Sequence, residues 1–278
     1  MDTVWLSKPK NELDPREAYP LELLTTALKK SEPEFGPFEI RFAGEMGRVR
    51  ALRSLLNGGI NVFDAPSQPE WEEKALTVRI PIKKGLMGYR LLLINQNQLT
   101  KFSDIQYIGQ LKQFSAGTGF QWSSTKVLDR LGFKLVSGTS YEGLFGMLAA
   151  ARFDYFPRGI NEIFDEYALF KPKYSQMAIE PTTAFYLPLP SYYFVSPHHP
   201  RLAKRIEAGL TTMYADGSFD ELFFRFYGSA IEKAKLWQRN LFYLENPLLP
   251  PHPIYDNPKY WFDPTQRQPL SATRSQLE

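Results

Sequence analysis

The sequence predicts an α/β protein of two lobes, two β-sheets flanked by helices, joined by a two-strand hinge. Three observations carry this reading. The chain has 278 residues, roughly two domains at about 150 residues each. Short apolar runs alternate with helical periodicities in two successive series, the sign of mostly parallel sheets covered by helices. Late helices then follow the second series, so the chain is expected to return and complete the lobe it began.

The elements follow in order. Residues 3–7 read as a strand, and 19–30 as a helix with Leu21, Leu24 and Leu28 on one face. Residues 38–42 alternate as a strand. Residues 47–57 are helical, with Val49, Leu52 and Leu56 on one stripe, and Gly58-Gly59 ends them. Residues 60–63 form a strand. The second series has strands at 89–95, 113–117 and 133–137, with a helix at 123–131. A helix at 139–151 opens on Thr139-x-x-Glu142, a capping-box spacing. The strand 153–156 is expected to halt at Pro157. An aromatic, proline-interrupted stretch covers 184–196. Pro200 starts a helix carrying Leu202, Ile206, Leu210 and Met213, and Ser218-x-x-Glu221 caps another that reaches about Asn246. The proline-rich tail from Pro247 is expected to be an extended strap on the surface or partly loose. The expected lobes are 1–90 with 190–246, and 91–189, followed by an extension at 247–278. The chain crosses near 89–92 and returns near 184–196, leaving a ligand crevice between the lobes.

Composition excludes several classes. The net charge is +3, too small for a strongly basic nucleic-acid binder. Hydrophobic residues make up 43% and charged residues 23%, the proportions of a globular protein rather than a disordered one. There is no cysteine, which removes disulfides, thiol catalysis and cysteine-bound metals. The longest apolar run, 143–151, is far short of the ~20 residues of a membrane span. Met1 lies directly before a strand, and Leu277-Glu278 has the look of a cloning remnant. A leader removed from the chain is therefore expected.

Four stretches together resemble the bacterial extracellular solute-binding proteins of family 3, receptors for polar amino acid ABC importers. They are Leu52-x-x-Leu55-Leu56-Asn57-Gly58-Gly59-Ile60-Asn61-Val62; Pro69-Glu70-Trp71-Glu72-Glu73-Lys74 leading to Ile80-Pro81-Ile82; Gly117-Thr118-Gly119; and Tyr141-Glu142-x-x-x-x-Met147-Leu148-Ala149-x-x-Arg152-Phe153-Asp154. The resemblance runs from about Thr3 to Leu244, and the segment 200–226 is similar to the family's closing helices. It implies a type II periplasmic-binding-protein fold, a periplasmic location, a small-molecule solute and a membrane ABC permease as partner. It implies a monomer that is not embedded in the membrane, binds no nucleic acid, needs no cofactor and catalyses nothing.

The departures bear on the ligand. Where the family carries an arginine that grips an α-carboxylate, this chain has Trp71. Where the family has an aspartate for the α-ammonium, Asp154-Tyr155-Phe156-Pro157-Arg158 runs on to Gly159. The family's stacking aromatic falls near Glu45. Each charged contact is worth about 1.5–3 kcal/mol. Losing both weakens binding on the order of a thousandfold. With Arg158 beside the missing acid, the expected solute is polar or anionic rather than an ordinary α-amino acid.

Individual residues carry two readings each. Thr118, Gly119, Phe120, Trp122 and Ser123 form either a ligand loop at a helix start, with free N–H groups facing an anion, or a plain turn. It is no Walker loop, since Gly-Lys-Ser/Thr is missing. Arg158 follows a strand end, where open α/β sheets place ligands, and is either a ligand contact or part of an ion pair. Tyr89 and Arg90 sit at the first crossing as contacts or hinge residues. Trp71 and Trp122 are aromatic walls or core. Ser67 and Glu45 are loop polar groups. Lys83-Lys84 reads as a solvated pair or docking face, and Glu72-Glu73 and Asp165-Glu166 as charged helix faces. Arg48, Arg50 and Arg53 read as solvent-facing charge. His198-His199 point to opposite faces and make a poor metal site. No serine-nucleophile signature is present.

The reading is thus a solute receptor that captures its ligand by hinge closure. A sensory module of the same fold and, further off, a dehydratase-like enzyme are the alternatives.

Overall fold

The computed structural model describes residues 1–9 and 15–265. The first elements are β1 (Asp2–Ser7), α1 (Pro15–Lys30), α2 (Glu32–Phe35), β2 (Phe38–Ala43), α3 (Arg48–Leu56), β3 (Val62–Pro66), α4 (Pro69–Lys74) and β4 (Leu76–Val78). Next come β5 (Tyr89–Asn95), α5 (Leu99–Phe102), α6 (Ile108–Leu111), β6 (Ser115–Gly119), α7 (Ser123–Arg130), β7 (Lys134–Gly138), α8 (Tyr141–Ala149), β8 (Tyr155–Gly159), α9 (Ile163–Phe170) and β9 (Met177–Tyr186). The chain closes with β10 (Ser191–Val195), α10 (Pro200–Asp216), α11 (Ser218–Ala234) and β11 (Asn240–Tyr243). No helix among the described residues is long and apolar enough to cross a membrane.

In the first lobe β1 and β2 pair in parallel, and β10 lies antiparallel between β3 and β4. Asn61 stitches the two groups of strands together. Its Oδ1 accepts from Trp5 N at 2.8 Å and its Nδ2 donates to Thr3 O at 2.8 Å. A carboxylate there could accept but not donate. Helices α1, α10 and α11 pack together, and α10 also contacts β4 and β10. A Cβ on Gly209 of α10 would collide with the backbone of Ala27 on α1. Glycine is required at that close approach.

The second lobe is one sheet of order β11-β9-β5-β8-β6-β7. Leu91, Leu92, Leu93 and Ile94 of β5 are completely buried, the continuous apolar run of a strand covered on both faces. The chain enters this lobe at β5 and leaves between β9 and β10. It crosses a third time after α11, because β11 pairs in parallel with β9, Asn240 opposite Thr183 and Tyr243 opposite Tyr186.

Several expectations are corrected at this level. The last helix does not reach Asn246. It ends at Ala234, where Lys235 turns left-handed at φ 47°. Pro157 does not halt its strand, since β8 runs to Gly159 with Pro157 opposite Leu92. Pairing of β8 with β6 is confined to Ala116 and Tyr155, so that flank has room for a residue with no N–H. The cap of α8 is Ser140, whose Oγ accepts from Gly143 N at 3.2 Å, not Thr139.

The described part of the tail lies across the hinge. Asn246 Nδ2 donates to Pro188 O at 2.8 Å. Phe262 N donates to Lys84 O at 2.8 Å, and the Tyr89 hydroxyl donates to Phe262 O at 2.9 Å. The Trp261 ring covers Gly85, and Tyr260 packs on Tyr214 with ring centroids 4.9 Å apart. Residues 266–278, with the expected remnant Leu277-Glu278, lie outside the described residues.

Candidate functional site

The ends of β1, β2 and β3, the start of α3, and the segment after β8 face one cavity of about 350 Å³. Lobe one contributes Ser7, Lys8, Met46, Arg48, Asp64, Lys83 and Met87, and lobe two contributes Asn161 and Glu162. Open α/β sheets place ligands beyond strand ends in this way. A second groove of about 510 Å³, beside Asp2, Asn61, His198 and Arg201, is lined by lobe one alone. It is larger but has no second wall to close on a ligand.

The cavity is charged with both signs. Lys83 is buried, with Nζ 3.7 Å from Asp64 Oδ2. Burial lowers its pKa, Arg48 adds to the fall, and Asp64 and Glu162 oppose it. Arg48 is reachable by solvent yet sits inside the crevice. The protein around it therefore lowers its pKa, against the pull of Asp64 and Glu162. It opens α3, whose cap Gly47 offers no side-chain acceptor and whose first turn holds no acid. The helix macrodipole therefore adds to the positive potential there. Among the described residues no hydrogen bond or ion pair ties Arg48 down. Arg48 is solvent-facing, as its sequence suggests, and it also lies on the cavity wall.

Below Glu162 lies a buried ionic cluster. Arg158 donates from Nε to Glu166 Oε2 at 2.7 Å and from Nη2 to Glu166 Oε1 at 2.6 Å. Its Nη2 is also 3.1 Å from Glu162 Oε2. The Tyr141 hydroxyl donates to Glu166 Oε1 at 2.7 Å. Arg90 Nη1 lies 3.5 Å from Glu162 Oε1. Burial favours neutral Arg158, but Glu162 and Glu166 more than reverse that and raise its pKa. For Arg90 burial prevails over Glu162, and its pKa is pushed down to about 10. Burial raises Glu166, and Arg158 opposes it. The guanidinium of Arg158 also lies 4.6 Å from the Trp122 ring centre and 4.8 Å from that of Phe156.

The structure places the expected residues as follows. Arg90, Thr118, Trp122 and Arg158 come together around this cluster. The space beside Arg90, Thr118 and Trp122 is only about 10 Å³, no more than one water needs. The Thr118 hydroxyl meets Thr125 Oγ1 at 2.5 Å, and Thr125 donates to Gly119 O at 2.7 Å. A Cβ on Gly117 would strike the Phe153 ring, and one on Gly119 the Trp122 ring. The glycines thus admit the protein's own aromatics. Phe120 is 66% exposed, and Ser123 is half-buried at the start of α7. Trp71 is buried between Phe63 and Phe194, with ring centroids 5.5 and 5.2 Å away. Ser67 donates to Glu72 Oε1 at 2.5 Å. Glu45 is exposed, one residue before Met46 of the cavity wall. Tyr89 is buried beneath the tail.

Two charge readings change. Arg158 does not stand as an unopposed base, because Glu166 lies inside with it rather than on a charged helix face. Lys83 and Lys84 are buried rather than solvated, with Lys84 Nζ 2.6 Å from Asp220 Oδ1. Sequence reasoning missed Asp64, Lys83, Asn161 and Glu162 as wall residues. The usable signal was strand length: with β8 ending at Gly159, residues 161–162 rather than 158 stand beyond the sheet.

No protein-family model and no curated protein matches the chain. Solved structures do. A periplasmic His/Glu/Gln/Arg/opine family-binding protein from Silicibacter pomeroyi, in complex with lysine, superposes with TM-score 0.58 at 10% identity, over 81% of this chain and 97% of that one. An ancestral arginine-binding protein bound to glutamine gives TM-score 0.56 at 16% identity, over 82% and 99%. A histidine kinase sensor domain with similarity to periplasmic binding proteins gives TM-score 0.53 at 13% identity, over 76% and 86%.

The fold is that of the type II periplasmic binding proteins. At these identities the likeness carries the architecture and leaves the ligand to the side chains of this chain.

Proposed function

We propose that this protein is an extracytoplasmic solute receptor. It captures a small polar or anionic solute between its lobes, closes around it, and delivers it to a membrane ABC permease. The observation that carries the reading is the cavity whose wall is shared, with Arg48, Asp64 and Lys83 from one lobe and Asn161 and Glu162 from the other. A ligand bridging such a wall binds the closed form better, and the population shifts by that difference in affinity. The chain works as a monomer, in the periplasm, without cofactor or catalysis. Its lobes, expected at 1–90 with 190–246 and at 91–189, are proposed with one change: residues 240–243 go with 91–189, because β11 pairs with β9.

The test is X-ray scattering with the protein alone and with each member of a panel of amino acids, organic acids, sugar acids and short peptides. A captured solute reduces the radius of gyration and raises the melting temperature by mass action. A panel that leaves both unchanged removes the reading. Turnover of a solute would replace it with an enzyme.

A second reading is a sensory module whose closed state is read by a signalling partner. The likeness to a kinase sensor domain favours it. A solute that closes the lobes but does not increase binding to a permease from the same source would select it.

A further inference from the structure

We infer that the solute is a monocarboxylate with an apolar body, its carboxylate held by Arg48 and Lys83. This rests on the solute-receptor reading above and assigns the ligand class to the same cavity. Among the described residues, every acid on the cavity wall already has a partner. Glu162 faces Arg158 at 3.1 Å and Arg90 at 3.5 Å, and accepts from Gly159 N at 3.0 Å. Asp64 faces Lys83 at 3.7 Å, and Glu17 has an interaction of its own. Arg48 has no hydrogen bond or ion pair among the described residues and feels Asp64 and Glu162 only at longer range. A cation entering the crevice would meet occupied carboxylates and an unmatched guanidinium. An anion would meet a guanidinium fork whose planar geometry fits a carboxylate. Lys83 lies within the same wall, held 3.7 Å from Asp64, longer than a hydrogen bond. Its ammonium keeps donors for a second acceptor.

Beside these charges the described wall holds Ser7, Lys8 and Asn161 together with a set of apolar side chains. Of the apolar side chains, Leu21, Met46, Phe63 and Met87 are partly buried and Phe42 is exposed. A volume of about 350 Å³ sits at the lower end of small-molecule sites, ~300–1,000 Å³. A doubly charged or sugar-like solute would leave these side chains facing its polar groups. An aryl or alkyl body covers them. Methionine and phenylalanine adapt to such a body without a fixed pattern of hydrogen bonds.

The experiment is calorimetry with four probes of one shape: 3-phenylpropionate, 3-phenylpropanamide, phenethylammonium and phenylalanine. The acid is expected to bind at least tenfold tighter than the amide, with no detectable binding of the amine. Arg48→Gln is expected to weaken the acid at least tenfold, while Arg48→Lys recovers part of the loss. Arg48 is exposed, and an unchanged melting curve without ligand shows that each variant is folded. Equal binding of acid and amide overturns the inference. So does tighter binding of phenylalanine or the amine, an Arg48→Gln variant of unchanged affinity, or no binding of the acid. Scattering on the same samples separates the two readings. If another solute closes the lobes while 3-phenylpropionate does not, the receptor stands and the carboxylate assignment falls. If no solute of the wider panel closes them, the receptor itself falls.

Discussion

Arg158 and Glu166 form a two-pronged pair inside the second lobe, both side chains 4% exposed. Such a pair adds little stability over apolar residues of equal volume, because both charges lose their water. Breaking it is another matter. Glu166→Ala leaves Arg158 buried with Glu162 alone, and a loss of about 3–5 kcal/mol is expected in urea unfolding. Replacing both together, Arg158→Met with Glu166→Leu, is expected to recover most of that. A double variant as unstable as the single one would mean that the charges themselves hold the fold.

Gly209 and Ala27 set the distance between α10 and α1. Gly209→Ala drives a methyl into the Ala27 carbonyl, a backbone atom that cannot rotate aside. The expected cost is about 1–3 kcal/mol. Gly44 has open space at its Cβ position and serves as the control, with Gly44→Ala near neutral. Thermal unfolding of the two variants side by side decides the point.

Asp2 and Arg205 give the protein an acid-sensitive clasp. Arg205 is completely buried and donates to Asp2 Oδ2 at 2.7 Å. Burial pushes the Asp2 carboxyl up, but Arg205 and Arg201 together hold it below its ordinary 3.8. A carboxyl depressed on folding stabilises the protein at pH above its unfolded value. That contribution is lost as pH falls from about 4 through the lower folded value. Asp2→Asn is expected to cost about 2 kcal/mol at neutral pH and to flatten the stability profile below about pH 4. Urea melts across that range measure both.

Phe262 and Tyr89 join the tail to the hinge, with ring centroids 5.6 Å apart. Phe262→Ala removes that packing and the contact with Phe223, and leaves the backbone bonds to Lys84 and Tyr89 in place. About 1 kcal/mol of stability is expected to go, given a half-buried ring. Scattering on the variant without solute is expected to show an unchanged radius of gyration, since the backbone bonds still tie the strap to the first crossing.

The architecture was readable because apolar period and punctuation agree for most elements. Leu202, Ile206, Leu210 and Met213 face inward on α10 as their spacing requires. The final helix was overextended because nothing after Ala234 breaks a helix by sequence. Lys235 takes a left-handed turn there, and β11 then pairs along the edge of β9. Pro157 misled for the opposite reason, since its tolerance depends on how far β6 pairs with β8. The binding wall was the least legible part. Asp64, Lys83 and Glu162 are charged residues scattered over 98 positions of sequence, and only folding brings them to one cavity. The glycines of 117–119 suggested ligand approach, yet Phe153 and Trp122 occupy the space they leave. No local pattern distinguishes an outside guest from an internal ring.

The third crossing has a consequence for biogenesis. The outermost strand of the second sheet is made from residues 240–243, after every helix of the first lobe. While the ribosome is still delivering α10 and α11, β9 is left with a bare rim of amide and carbonyl groups. Such a rim is an invitation to pair with another nascent chain. The second body therefore matures last even though most of it is translated before α10 and α11, and premature termination just before Asn240 would release a product prone to self-association.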